Sequence, residues 1–372
     1  MSDHTWPDVL GGLLAGRDLT EPAAGWAMEE ILSGSASPAQ LAAFVTALRA
    51  KGETAHEVDA LVGVMLRHAR LLDFGPLGRP VALDVVGTGG DQAHTVNIST
   101  MSALVCAAAG VPVIKHGNRA SSSSTGTADV LEELGVVIDL PPDAVVECVR
   151  ESGIGFCFAQ VHHPAMRHAG PTRRELGIPT VFNILGPLTN PGLTQAALVG
   201  SASQDLAPVM ADVLRRRGVH AVVVRGDDGL DETSTAGPSQ AWDATGAVVV
   251  EERIHPEELG IAHADRELLR GGDRHRNAHL LRATLDGQPA AGPDADRITA
   301  IRDAVALNAA VALVAHDAAR RAVDGDAVPV PAPLVERVAA QLPRVRATLD
   351  SGAAITLLDA WASSTQRLRP PA

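Results

Sequence analysis

Gly87-Thr88-Gly89-Gly90-Asp91 is the stretch whose residue types say most about chemistry. It follows the short apolar run Val81–Val86, the pattern of a buried strand feeding a glycine-rich turn. Glycines there let the backbone take positive φ and come close to a ligand, with amide N–H groups turned into the gap. Asn97-Ile98-Ser99-Thr100 then opens an Ala/Val/Leu-rich stretch that ends near Gly110. Hydroxyls and free N–H groups at such a helix start favour anions. A second apolar run, Val111–Ile114, delivers Lys115-His116-Gly117-Asn118-Arg119 and then four serines, Ser121–Ser124. The glycine loop alone is a weak signal. Joined to the other two loops it predicts a site for a heavily phosphorylated small molecule, with Lys115 and Arg119 neutralising phosphate charge. The serine run reads as a polar loop able to close over an anion.

A second group of residues follows the apolar run Ala221–Val224: Gly226-Asp227-Asp228-Gly229-Leu230-Asp231-Glu232. Acidic residues after a strand are commonly a solvated turn. Beside a polyphosphate they can hold Mg²⁺, which prefers oxygen ligands and binds through one or two carboxylates plus substrate phosphates. Asp231 and Glu232 are the best pair, with Ser99 as a hydroxyl ligand from across the cleft. His116, His162, His163 and His168 bring no carboxylate or cysteine that would complete a zinc site. His116 and His163 are candidates for a base or for an aromatic wall against a planar substrate. Arg173 and Arg174 are either solvated or a counter-charge for a substrate carboxylate. Neither a Ser/His/Asp nucleophile spacing nor a GxxxxGK[ST] loop occurs.

The elements that must position these residues fall into two kinds. The first seventy residues read as three short amphipathic helices. One covers Pro22–Leu32. The second starts at the Ser37-Pro38 cap, carries Leu41, Phe44, Val45 and Leu48, and stops at Gly52. The third starts at the Thr54/Glu57 capping box. Such a bundle needs a partner surface, in the other domain or a second subunit. From Pro80 strands and helices alternate. Strands are expected at Val81–Val86, Val111–Ile114, Val136–Ile138, Phe156–Ala159, Ala197–Gly200 and Ala221–Val224, then near Trp242 and Val248–Val250. The helices between are Ser99–Ala109, Ala128–Leu134, Asp143–Glu151 and Leu206–Arg217. The fold class is therefore α/β: a small N-terminal helical domain plus a larger α/β domain with a mostly parallel central sheet flanked by helices. A ligand belongs at the carboxyl ends of the strands. Between Phe158 and Pro191 the rhythm breaks. A polar helix is expected from His162 through Arg174 to Gly177, and the Pro-, Asn- and Gly-dense Pro179–Gly192 reads as a segment returning to line the cleft. Domain limits are 1–75, with a returning segment around 163–192, and 76–372. Helices around Asn277–Leu285, Ala300–His316 and Pro333–Leu349 follow, and Thr365–Ala372 reads as a frayed tail.

Composition sets outer limits. The 372 residues are 46% hydrophobic and 20% charged, ordinary for a globular protein of roughly two domains. A net charge of −13 with scattered cations argues against a nucleic-acid surface. Cys106, Cys148 and Cys157 lie in apolar contexts without CxxC spacing, which fits a reducing cytoplasm. The opening MSDHTWPDVL lacks a basic region followed by an apolar core, and no run of about twenty apolar residues is seen, so neither a secretory signal nor a membrane span is expected.

Taken together the motifs resemble the anthranilate phosphoribosyltransferase family over nearly the whole chain. The resemblance is carried by GTGGD at Gly87–Asp91, NIST at Asn97–Thr100, KHGNR at Lys115–Arg119 and HHPAMRHA at His162–Ala169. RRELGIPTVFNILGPLTNP at Arg173–Pro191, DGLDE at Asp228–Glu232 and SPAQLAAFVTALRAKGET at Ser37–Thr54 complete it. It implies that the anthranilate amine displaces pyrophosphate from 5-phosphoribosyl 1-diphosphate (PRPP), with two Mg²⁺ ions per subunit and a homodimer built through the helical domain. By motif, Gly87, Gly90, Asp91, Thr95, Asn97, Ile98, Ser99 and Thr100 belong to the donor site. Lys115, His116, Gly117, Asn118, Arg119, Ala120, Ser121, Ser122, Ser123 and Thr127 join them. Gly87, Asn118 and Arg173 meet anthranilate, with His163 and Pro187 as weaker members of the acceptor channel and His116 a weak candidate for catalysis. Ser99, Asp231 and Glu232 serve the metal. Thr127 and Thr125 stand where the family has Ser or commonly has it, and Ser124 is at a variable position. Pyrimidine nucleoside phosphorylases share the architecture but lack the DGLDE plus NILGPLTNP combination. A non-catalytic nucleic-acid-binding paralogue would lose the carboxylates or gain a basic face. The acceptor could be anthranilate or a substituted analogue.

Overall fold

The structure, a computed structural model, describes residues 4–119, 125–326 and 330–370. Four helices come first: α1 (Trp6–Leu14), α2 (Glu21–Leu32), α3 (Pro38–Lys51) and α4 (Ala55–Arg67). The first of these was not among the three expected. The Thr54/Glu57 capping box starts α4 as the spacing predicted, and the Ser37-Pro38 cap that starts α3 proves to be a capping box with Gln40 as well. Glu57 does more than cap. Its buried carboxylate also accepts the Leu19 N–H at 2.8 Å and pairs with Lys51 at 2.9 Å, tying three parts of the bundle together.

The α/β part runs β1 (Leu83–Gly87), α5 (Ile98–Ala108), β2 (Val113–Gly117), α6 (Thr127–Glu133), α7 (Pro142–Ser152) and β3 (Ile154–Phe158). Then come α8 (Ala159–His162), α9 (Gly170–Leu176), α10 (Phe182–Leu188), β4 (Ala196–Gly200), α11 (Ala207–Arg216) and β5 (His220–Gly226). The chain closes with β6 (Ser239–Asp243), β7 (Val250–Ile254), α12 (Arg274–Leu285), α13 (Ala295–Asp324), α14 (Leu334–Asp350) and α15 (Ala353–Arg367). One seven-stranded sheet has the order β3-β2-β1-β4-β5-β6-β7. Its first five strands are parallel, while β6 and β7 turn back antiparallel.

Side chains alternating along the strands supply two cores. One face, with Leu83, Val85, Leu198, Val222 and Val224, packs on α5 and α13. The other face, with Val86, Ala197, Val199 and Val223, shares a core with the four N-terminal helices, α10 and α11. The bundle's partner surface is thus the layer of α9, α10 and α11: α4 packs on α10 and α11, α3 packs on α9, and α11 in turn covers β5.

Several expectations require correction. Val136–Ile138 forms no strand; the Val137 N–H is satisfied by the Thr365 hydroxyl at 3.0 Å, so this extended segment needs no sheet partner. Thr365 itself is buried within α15, which runs to Arg367, so these residues are helix rather than a frayed tail. The continuous polar helix after His162 is broken into α8, a 3-10 turn at Pro164–His168, and α9. Pro164 and Pro171 each remove a helical N–H, and His163 before Pro164 leaves the helical region at φ −119°, ψ 61°. Pro179–Gly192 contains a helix, α10, that takes Pro187 inside it. Finally α13 is long and apolar enough to pass for a membrane span, but 83% of its apolar window is buried inside the protein.

Candidate active site

The carboxyl ends of β1, β2, β4 and β5 converge on a compact group of charges. Gly87, the last residue of β1, has no room for a Cβ, which would collide with the Asp231 carboxylate. Gly200, the last residue of β4, would collide with the Asp231 carbonyl. The two glycines therefore let the DGLDE loop lie directly across the strand ends. Asp231 Oδ2 accepts the Gly89 N–H at 2.7 Å, where Gly89 has φ 67°. Glu232 lies beside the Ser99 N–H at the start of α5, which favours its charged form. Lys115, 2% exposed, donates to the Val85 carbonyl at 2.5 Å and to Ser99 Oγ at 3.3 Å.

Burial and crowding shift Asp231, Glu232, Asp84 and Lys115. Burial raises the Asp231 carboxyl to about 7, and nearby Asp91 adds to the rise. Glu232 is pushed well above the carboxylate range by burial and by Asp231, against the opposing pull of Lys115. Asp84 is raised by burial to about 6, with Lys115 and the Asn190 amide holding it down. Lys115 is lowered by burial, opposed by Asp84 and Glu232. Asp84 and Glu232 thus share one lysine, Asp231 and Asp91 crowd beside them, and the Asp91 Oδ2 is buried without a partner. This excess of negative oxygen fits Mg²⁺. Among the described residues no three ligating side chains form a complete cage, and an ion held by one or two carboxylates that completes its shell with waters and substrate phosphate does not need one. Ser99, Asp231 and Glu232 are the residues that could hold it.

His116 lies beside this group. Its backbone N–H donates to Asp84 Oδ1 at 3.1 Å, and its Nδ1 lies 2.9 Å from the Gly186 carbonyl in α10. A carbonyl only accepts, so Nδ1 carries the proton and Nε2, buried without a partner, keeps its lone pair. Burial, and then His163, hold the His116 pKa well below its usual value. The His163 ring is 5.1 Å away; its Nε2 donates to the Thr189 carbonyl at 3.0 Å, and burial lowers its pKa to about 4. Arg173 in α9 stacks over Phe182 at 5.1 Å and, among the described residues, has no ion-pair partner. Pro187 is buried in α10, the helix whose carbonyl fixes His116.

The sequence-predicted residues are not all used alike. Arg119, expected to meet phosphate with Lys115, is engaged by Glu132 at 2.5 and 2.9 Å and by Asp129 at 3.0 Å, over the Phe158 ring. Its charge is already matched. Asn118 is exposed, and its Oδ1 accepts the Arg119 N–H at 2.8 Å. Thr100 and Thr127 face each other, Oγ1 to Oγ1, at 3.5 Å. Gly117 packs under Phe156, where a Cβ would come within 2.8 Å of the ring. Thr95 bridges to Arg270, and Ile98, the first residue of α5, is buried in the core. Gly90 has φ 88°, and Asp91 Oδ1 accepts the Ala93 N–H at 3.1 Å. His162 faces away to the Arg70 carbonyl at 2.7 Å, and an added Cβ on Gly34 would come within 2.8 Å of His168 in the bundle. Ala120, Ser121, Ser122 and Ser123 lie outside the described residues.

Sequence reasoning missed three supports. Asp84 and Asn190 bond at 2.7 Å, and Asn190 also donates to the Ile114 carbonyl, bracing β1, β2 and the returning segment together. Asn308 in α13 accepts the Thr233 N–H and donates to the Thr233 carbonyl, each at 3.0 Å, pinning the chain directly after Glu232. Asn277 in α12 donates to Asn97 Oδ1 at 3.0 Å. Lone asparagines on helices carry no sequence signal of this kind, although the Asn-Pro-Gly turn at Asn190 was a visible clue.

Residues 79–355 match the model described as the glycosyl transferase family, a/b domain, and residues 7–69 match its helical bundle domain. The anthranilate phosphoribosyltransferase of Saccharopolyspora erythraea is 51% identical over 366 residues, covering 98% of this chain and 97% of the relative. That of Acidothermus cellulolyticus is 52% identical over 365 residues, covering 98% and 96%. Among solved structures, anthranilate phosphoribosyltransferase from Thermus thermophilus is similar with a TM-score of 0.81 at 39% identity, covering 96% of this chain and 99% of that one. The Saccharomyces cerevisiae enzyme in complex with PRPP and Mg gives a TM-score of 0.81 at 26% identity, covering 98% and 99%. Two-domain matches at this identity and coverage, on a fold whose loops gather the same motifs, establish that the chain belongs to the anthranilate phosphoribosyltransferase family.

Proposed function

We propose that this chain transfers the 5-phosphoribosyl group from PRPP to the amine of anthranilate, yielding N-(5-phosphoribosyl)anthranilate and pyrophosphate in tryptophan biosynthesis. The observation that carries the reading is the convergence of the Gly87–Asp91 loop, Lys115 and the Asp231–Glu232 pair at one set of strand ends. In the reaction a C–N bond forms at the anomeric carbon as the C–O bond to pyrophosphate breaks, and the product amine then releases its proton. Bound Mg²⁺ supplies positive charge to the departing diphosphate. Asp231 and Glu232 would hold it, with Ser99 adding a hydroxyl. The Gly89–Gly90 backbone, the α5 N-terminus and Lys115 would orient the donor and oppose charge developing on the leaving group. Arg173 would meet the acceptor carboxylate, since its guanidinium has no carboxylate of its own among the described residues. Asn118, His163 and Pro187 would line the acceptor side. His116, neutral and with a free Nε2, suits accepting a hydrogen bond rather than taking a proton.

The test is loss of anthranilate fluorescence with PRPP and Mg²⁺, with EDTA as control. A donor-dependent loss that EDTA stops is expected. Donor binding by calorimetry without any loss would move the acceptor elsewhere, to a substituted anthranilate or another nucleophile. Asp231→Asn with Glu232→Gln should abolish Mg²⁺-dependent turnover; intact turnover would remove the metal from these residues. The ion count, two per subunit, would be read from the Mg²⁺ stoichiometry of the donor complex. A homodimer through the helical domain is supported by Leu14, a large apolar side chain 81% exposed at the end of α1. Leu14→Asp should shift the sedimentation profile towards monomer, and an unchanged profile would place the contact elsewhere. Three free buried cysteines support a reducing, cytoplasmic setting.

A further inference from the structure

Asn97 stands at the N-cap of α5, yet its side chain caps no helical N–H. Both ends of its amide are taken by a ring of four hydrogen bonds joining three separate loops. Asn277 Nδ2 donates to Asn97 Oδ1 at 3.0 Å, and Asn97 Nδ2 donates to the Thr125 carbonyl at 3.3 Å. Thr125 Oγ1 donates to the Gly272 carbonyl at 2.9 Å, and the Gly272 N–H returns to Asn277 Oδ1 at 2.8 Å. Asn277 and Thr125 are only 2% and 4% exposed. The ring is continuous with backbone pairing: the Val96 N–H donates to the Leu269 carbonyl at 2.9 Å and the Gly271 N–H to the His94 carbonyl at 2.8 Å. Only glycine fits at Gly271, where a Cβ would come within 2.6 Å of Asn277 Oδ1 and 3.1 Å of the Thr95 carbonyl.

We infer that Asn277 and Thr125 are positioning residues for phosphoribosyl-donor binding, acting through Asn97. An asparagine at an N-cap ordinarily folds back over the first helical N–H groups. Here the ring holds its side chain against Asn277 and the Thr125 carbonyl instead, while its own carbonyl accepts the Thr100 N–H at 3.1 Å. The ring also fixes Thr95–Asn97 against Leu269–Gly272, so the donor loop is set before any ligand arrives, which lowers the ordering cost of binding. None of the ring partners of Asn97 hydrogen-bonds to His116, His163 or Arg173, and the link from this segment to Asn118 is the separate backbone bond from Ala128. The effect is therefore confined to the donor. The inference rests on the donor assignment proposed above.

The experiment compares wild type with Asn277→Leu, Thr125→Val and Thr125→Ser, using calorimetric titration with PRPP and Mg²⁺ and steady-state kinetics for both substrates. Asn277→Leu and Thr125→Val are expected to weaken donor binding and raise donor KM about tenfold, the scale of a lost buried hydrogen bond. Anthranilate KM and kcat should stay within about twofold, the split that marks a purely donor-side effect. Thr125→Ser keeps the hydroxyl and should rescue donor affinity. The double variant should bind no more weakly than the worse single one, because the ring is already open. Donor affinity unchanged in Asn277→Leu and Thr125→Val, or Thr125→Ser as weak as Thr125→Val, overturns the inference. If Asn277→Leu does not fold, the Thr125 pair decides. Wild-type binding with unaffected variants sinks this inference alone, whereas no donor binding by wild type sinks the donor assignment and the inference with it.

Discussion

Lys115→Met is the most informative single perturbation of the buried charges. The side chain is 2% exposed, and burial of this depth leaves its neighbours dependent on its charge. Its loss removes the bonds to the Val85 carbonyl and Ser99 Oγ and leaves Asp84 and Glu232 uncompensated. Breaking a buried ion pair from one side costs about 3–5 kcal/mol. The molecule can escape by protonating its carboxyls: Glu232, already pushed well above the carboxylate range, and Asp84, raised to about 6 even with Lys115 present. Two pH units above that value, neutralising it costs at most about 2.7 kcal/mol, since loss of Lys115 raises the carboxyl further; at pH 6 it costs well under about 1 kcal/mol. In the variant the folded state binds more protons than the unfolded chain, so its stability rises as pH falls. The expected destabilisation relative to wild type is therefore about 3 kcal/mol at pH 8 and about half of that at pH 6. Urea unfolding of both proteins at the two pH values measures it, and the double variant Lys115→Met/Asp84→Asn should be less destabilised than the sum of its parts. A loss under about 1 kcal/mol, or the same loss at both pH values, would refute the electrostatic account.

Three further outcomes follow from the same geometry. Gly200→Ala places a methyl group against the Asp231 carbonyl, a backbone atom that cannot swing aside; stability should fall by about 1–3 kcal/mol and Mg²⁺-dependent turnover should collapse, while a kcat near wild type would show the loop to be free to move. Arg173→Ala should raise anthranilate KM about tenfold or more with donor KM unchanged, as expected for loss of a charge-assisted bond; a change in donor KM alone would reassign Arg173. The neutral His163 ring, packed against His162, His116 and the Thr189 carbonyl, has a folded pKa of about 4 against an ordinary 6.5. The unfolded chain therefore protonates first, and this stability is whole above pH 6.5 and lost as pH falls towards 4, roughly 3 kcal/mol in all. Comparing urea midpoints of wild type and His163→Gln at pH 7 and 4.5 should show the gap between them shrinking by more than about 1 kcal/mol at the lower pH; a constant gap would contradict the burial argument.

What the sequence determined by itself was local. Glycine after an apolar run marked the loop at Gly87–Asp91, and the Ser37-Pro38 cap and the spacing of Thr54 with Glu57 marked two helix starts, because caps and turns are decided by neighbouring residues. Motif order across the chain pointed to the family for the same reason: each motif is a short stretch whose chemistry can be read where it stands. Tertiary structure decided whatever depends on a distant partner. Val136–Ile138 has strand-like residues, but Thr365 satisfies its backbone, so it joins no sheet. Lys115 and Arg119 look equivalent as cations four residues apart; one is buried against Ser99 and the other is held by Glu132. Asn97 reads as a helix cap until Asn277, 180 residues on, takes its side chain. The raised carboxyl of Asp231 needs both its burial behind Gly87 and Gly200 and the nearness of Asp91. Burial, charge compensation and hydrogen-bond partners between remote segments exist only once the chain has closed, because the field and the solvent exclusion that set them come from residues the local sequence does not contain.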